Sequence, residues 1–141
     1  MVGSVSTALV IGTLLGLISG YLGGPVDAVI MRIMDALLAF PGLILSLSII
    51  AALGPGMSKA VIAISIVNIP GFARVVRAQV LSARELEYVK AARSIGCSSM
   101  HVLFKEVAPN ALDAVVIYAS LRSAGAITVE SALSFLGLGV Q

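Results

Sequence analysis

Apolar residues in this chain fall into long blocks separated by short charged ones, and the spacing of the charges marks out the elements. Residues 1–26 carry no charge, and Val2 to Leu22 is long enough to cross a hydrocarbon core as one helix. Gly12, Gly16 and Gly20 recur every fourth residue and share one helix face, where missing Cβ atoms let another helix come close. Gly23-Gly24-Pro25 ends that helix. Asp27, Arg32 and Asp35 then punctuate an amphipathic stretch expected at the membrane surface or entering it obliquely. No charge occurs from Ala36 to Ser58, which predicts a second span turning at Gly54-Pro55-Gly56, with Pro41 early in it, where proline costs least.

Lys59 and Arg74 bracket a third apolar run of 14 residues. It is a span only if the helix continues past Arg74 and the Lys59 stem snorkels, and Pro70-Gly71 is expected to kink it. A polar loop follows at 82–108. From Pro109 onward a last span is interrupted by Asp113, Arg122 and Glu130, charges that at membrane depth face protein or water rather than lipid. Ser131 to Val140 is apolar but too short to cross. The expected fold class is an all-α membrane protein, a polytopic transmembrane helix bundle of about four spans.

Composition sharpens that reading. The chain is 59% hydrophobic and 11% charged, whereas soluble domains carry roughly 25% charged residues. A 141-residue soluble fold would have too little polar surface to cover this much apolar side chain, so the lipid bilayer is the expected solvent. Six of the nine basic residues, Arg74, Arg77, Arg84, Lys90, Arg93 and Lys105, lie between positions 74 and 105. No aromatic platform or recognition motif accompanies them, so no nucleic-acid partner is expected. A basic segment between apolar runs instead marks a cytoplasmic loop. With 74–108 inside the cell, Gly54-Pro55-Gly56 lies outside, the Asp27 to Asp35 stretch lies inside and Met1 starts outside.

The candidate chemistry is sparse. Cys97 is the single cysteine and His101 the single histidine, which excludes an internal disulfide and a multi-histidine metal site. No cofactor is expected. Gly54-Pro55-Gly56-Met57-Ser58-Lys59-Ala60 is the nearest approach to a phosphate loop, but it lacks glycine before the lysine and Ser or Thr after it. Serine-protease chemistry needs a base beside its nucleophile, and the one histidine sits in the polar loop. Asp35, Asp113 and Glu130 leave open an ion- or proton-coupled secondary transporter or small channel, since acids at membrane depth are functional candidates.

Within the polar loop, Glu87 to Gly96 reads as a short amphipathic helix stopped by glycine. Tyr88, Ala91, Ala92 and Ile95 follow the i, i+3, i+4, i+7 spacing of one face. Gly96 suits the left-handed position that closes a helix, and Ser98-Ser99 can cap the next turn. Met100 to Val107, His101 included, forms a second helical piece expected to end before Pro109. Small alanines on an exposed face would let such a helix seat deeply in a partner's groove; an ordinary surface helix on the headgroups fits the periodicity equally well.

Lys90-Ala91-Ala92, then Gly96, then Glu106-Val107-Ala108-Pro109 resembles the EAA loop of binding-protein-dependent ABC importer permeases. The surroundings resemble the dipeptide, oligopeptide and nickel branch. They comprise Asp35-Ala36-Leu37-Leu38-Ala39-Phe40-Pro41, Pro70-Gly71-Phe72-Ala73-Arg74-Val75-Val76-Arg77, Pro109-Asn110-Ala111 and the closing segment from Ser131 to Gln141. Lys90 stands where the family's motif has glutamate, and Ala108 where leucine is usual.

The resemblance implies the middle four spans of a six-span permease domain in a prokaryotic inner membrane, with 82–108 as a cytoplasmic coupling loop. It also implies a transport component rather than an enzyme. Glu87, Tyr88, Ala91, Ala92, Ile95, Gly96, Ser98, Ser99 and His101 would then contact a separate ATP-binding subunit. The further partners implied are a second permease subunit and an extracytoplasmic substrate-binding protein. The cargo implied is a peptide, nickel or a related small solute.

Overall fold

The computed structural model describes residues 2–135, in which every regular element is helical. Met1 and residues 136–141, which carry the end of the apolar stretch and of the closing segment, lie outside the described residues. The helices are α1 (Val2–Leu22), α2 (Gly24–Leu38), α3 (Gly42–Leu53), α4 (Met57–Ala83), α5 (Glu87–Ser94), α6 (Ser99–His101) and α7 (Ala108–Phe135). A π-helical stretch, Val102–Val107, joins α6 to α7.

α1 and α4 form the principal helix pair. A Cβ on Gly12 would lie 2.8 Å from the Ile69 carbonyl oxygen, one on Gly16 2.7 Å from Val76 Cβ, and one on Gly20 2.8 Å from Val80 Cβ. Near the start of both helices, Ser65 Oγ donates to the Ser4 carbonyl at 3.1 Å. Sequence numbers therefore rise together along the contact, and the two helices run parallel. Two parallel spans oblige the chain between them to return across the same thickness.

The return is not the single span expected from Ala36 to Ser58. It is a pair of helices, Gly24–Leu38 and Gly42–Leu53, bent by 91° at their break. Pro41 is the cause. It has no N–H to donate and disfavours helical geometry in the residue before it, so α2 stops and Pro41 becomes the N-cap of α3 with φ −56° and ψ 128°. Asp27 and Asp35 stand about two turns apart on α2, yet their partners Arg77 and Arg74 lie less than one turn apart on α4. α2 therefore crosses α4 steeply, and α3 alone runs antiparallel to it, with Ile50 packed in one buried cluster with Ala60, Ala63 and Ile64.

The third apolar run lengthens to the 27 residues of α4, which stays helical past Arg74 and through Pro70-Gly71. Gly3–Leu22 and Met57–Ala83 are each long and apolar enough to cross a membrane, and the bent pair qualifies together. Among the described residues these make two straight candidate spans, or three with the bent pair. α7 has the length of a span, with 28 residues, and carries Asp113, Arg122 and Glu130 along it.

Candidate functional site

The loop after α4 is built on the same core as the spans. Val89 of α5 and Val102, Leu103 and Val107 of the π-helical stretch are buried in one apolar cluster with Phe72, Val76 and Val80 of α4 and Leu17 of α1. The loop is therefore packed onto the bundle rather than hung from it.

α5 closes on a Schellman turn. The Cys97 N–H donates to the Ala92 carbonyl and the Gly96 N–H to the Arg93 carbonyl, each at 3.1 Å. Gly96 has φ +85°, the left-handed conformation this turn requires. Ala92 and Cys97 both rest on the core cluster, which supplies the apolar contact that accompanies the motif. Ser98 is the N-cap of α6, its Oγ accepting from the His101 N–H at 3.3 Å, and Ser99 is the first helical residue.

The face expected from Tyr88, Ala91, Ala92 and Ile95 is divided by the fold. Ala92 is half-buried against the core together with the fully buried Val89, while Tyr88, Ala91 and Ile95 are exposed, Ile95 to 81%. The correction has a simple cause. Two overlapping apolar stripes run along this short helix, and periodicity does not choose which one turns inward. Glu87, Gly96, Ser99 and His101 are also exposed. The structure thus brings Glu87, Tyr88, Ala91 and Ile95 onto the outer surface of one helix, and sets Met100 and His101 beyond the glycine turn.

The second helical piece does not end before Pro109. Val102–Val107 takes π geometry and passes directly into α7, with Pro109 in the first turn of the α-helix. A π segment shifts the hydrogen-bond register by one residue, so a proline at the return to α geometry removes little. Three further contacts in and around the loop are not legible in the sequence. Asn110 Nδ2 donates to Tyr88 Oη at 2.7 Å, the Arg93 guanidinium lies 5.2 Å from the centroid of the Tyr21 ring, and Lys90 Nζ lies 3.2 Å from Glu85 Oε2. Their partners are remote in sequence or out of helical step, so no local pattern reports them.

Of the acids considered for proton coupling, Asp35 is ion-paired with Arg74, Asp113 is exposed, and the side chain of Glu130 lies outside those described. Among the described residues no group of three or more His, Cys, Asp or Glu side chains could hold a metal ion.

The profile of the family described as "Binding-protein-dependent transport system inner membrane component" matches residues 12–141. The chain belongs to this family. Family membership agrees with an all-helical, multi-pass membrane protein. Among similar proteins, the dipeptide transport system permease protein of Alkalihalophilus pseudofirmus is 46% identical over 138 residues, which are 98% of this chain and 45% of the relative. The glutathione transport system permease protein of Pectobacterium atrosepticum is 43% identical over 138 residues, 98% of this chain and 46% of the relative. The probable D,D-dipeptide transport system permease protein of Escherichia coli is 44% identical over 137 residues, 97% of this chain and 46% of the relative. This family member spans about half the length of the curated relatives it matches.

Proposed function

We propose that this chain is part of the membrane-spanning subunit of an ATP-driven importer for peptides or peptide-like solutes, with 82–108 as the loop that docks on a separate ATP-binding subunit. The observation that carries the reading is the loop's construction. Glu87, Tyr88, Ala91 and Ile95 face outward, while Val89 and Ala92 on the opposite side belong to the core that includes α1 and α4. A push on the outer face is borne by the packed core, because close-packed interiors transmit displacement rather than absorb it. Family membership and the names of the relatives supply the cargo class. A second permease subunit and an extracytoplasmic binding protein complete the assembly in this reading.

The test is reconstitution of the full-length subunit with its second permease, ATPase subunits and binding protein in liposomes. Uptake of a labelled dipeptide should require ATP and the binding protein, and the permease alone should not hydrolyse ATP. Uptake driven by a proton gradient without ATP would overturn the reading.

A further inference from the structure

Between α3, α4 and α7 lies a cavity of about 180 Å³, lined by Gly42 and Ser46 of α3, Val67 and Asn68 of α4, and Arg122 and Gly125 of α7. Arg122 makes no ion pair among the described residues. Its Nε donates to Tyr118 Oη at 2.6 Å, and its guanidinium lies 5.0 Å from the Tyr118 ring centroid. Tyr118 is itself fixed, stacked edge-on against the buried Phe72 at 5.0 Å with its hydroxyl against Gly71, where no side chain intervenes. The cation is therefore held at the cavity by an aromatic platform rather than left free to snorkel.

On the opposite wall Ser46 and Asn68 are buried polar side chains set among Leu43, Ile64 and Val67. Ser46 donates to the Gly42 carbonyl and Asn68 Nδ2 to the Ile64 carbonyl, each at 2.8 Å. The side-chain amide has a second N–H, and the guanidinium has further N–H groups beyond the one used on Tyr118. A fixed guanidinium opposite an amide donor suits a planar anion, and a carboxylate above all, because it accepts paired N–H bonds from Arg. The position is open. Nothing lies within 4 Å of where a Cβ on Gly125 would stand, one helical turn from Arg122 on the same face.

We propose that this cavity is a transit site for the carboxylate end of a translocated solute, with Arg122 as the anion ligand and Asn68 as a second donor. The proposal rests on the permease reading above and adds a location and a charge requirement to it.

Gly125→Cys in a Cys97→Ser background provides a reporter in the full-length transporter, assembled with its ATPase subunits in phosphatidylcholine liposomes. Ser46→Cys on the opposite wall serves as a second reporter should Gly125→Cys fail to assemble. With each rate divided by that of the same reagent on a free thiol, a sulfonate-bearing methanethiosulfonate reagent should modify the cysteine about tenfold faster than a trimethylammonium one, since a charged cleft with low-dielectric walls concentrates counter-ions. That ratio should fall to near one in Arg122→Gln and be retained in Arg122→Lys. Dialanine should slow the modification, and dialanine amide should not. Equal normalised rates for the two reagents, a ratio unchanged by Arg122→Gln, or equal protection by the acid and the amide would each overturn the proposal. Protection that follows added anionic lipid and ignores dialanine would assign the site to a headgroup and overturn it too. Charge selectivity without ATP-driven uptake would leave the anion site standing and count against the permease reading alone.

Discussion

Asp27 accepts two hydrogen bonds from Arg77, from Nε and from the Nη2 end of the guanidinium, each 2.6 Å long across 50 residues of sequence. Ser19 Oγ also donates to Asp27, so one carboxylate ties the end of α1 and the start of α2 to α4. The two side chains are only 18% and 31% exposed. Asp27→Asn would leave a half-buried guanidinium without its counter-charge, at a cost of about 2 kcal/mol, between the values for exposed and buried pairs. Thermal denaturation of the purified full-length protein should show the loss, and the reversed pair Asp27→Arg with Arg77→Asp should recover part of it. An Asp27→Asn protein as stable as the parent would mean that the pair holds nothing together.

The α1–α4 seam offers a sharper contrast. A Cβ on Gly16 would lie 2.6 Å from the Ala73 carbonyl oxygen, a backbone atom that cannot step aside alone. Gly16→Ala should destabilise the pair by about 1–3 kcal/mol through overpacking. Gly3→Ala, on the same helix with nothing within 4 Å, should be neutral or slightly stabilising. Comparable yields of folded protein for the two variants, judged by size-exclusion profile after detergent extraction, would contradict the close approach.

Gly96 is a different kind of glycine. Nothing lies near its would-be Cβ, but its φ of +85° strains any β-branched residue. Gly96→Val should cost at least about 1 kcal/mol and shift the turn between α5 and α6. Uptake should fall in the assembled transporter while the protein stays in the membrane. Gly96→Asn, which tolerates left-handed geometry, should keep most of it. Wild-type uptake in Gly96→Val would show that the turn's geometry does not matter for coupling.

Cys97 reports the side of the membrane on which the loop lies. It is the residue after Gly96, half-buried against the core. A membrane-impermeant maleimide should fail to label it from outside intact cells, label it slowly once the membrane is opened, and label it fully after denaturation. ATPase subunits should slow the labelling further. Rapid reaction from outside would invert the topology and remove the basis for the docking loop.

The blocks of apolar residues were enough to read the long helices. α1 and the start of α5 fall where uncharged length and helical periodicity put them. The Gly96 stop was equally legible, because a glycine closing a helix is a local backbone property that a few neighbouring residues determine. The resemblance of the loop and its surroundings to importer permeases was also carried by short ordered motifs, and the family match over residues 12–141 agrees with it.

What tertiary structure decided is which faces meet and at what angle. Hydropathy alone could not separate a 23-residue span from Ala36 to Ser58 from two helices bent by 91°. α2 crosses α4 because Asp27 and Asp35 pair with arginines that are adjacent only on the folded helix. Val89 rather than Tyr88 turns inward because Val102, Val107 and the α4 valines leave it a dry site. Arg122 and Asn68 share a cavity although 54 residues separate them in the chain. Periodicity and capping act over a turn or two of chain, whereas pairing and burial depend on atoms that only the completed packing brings together.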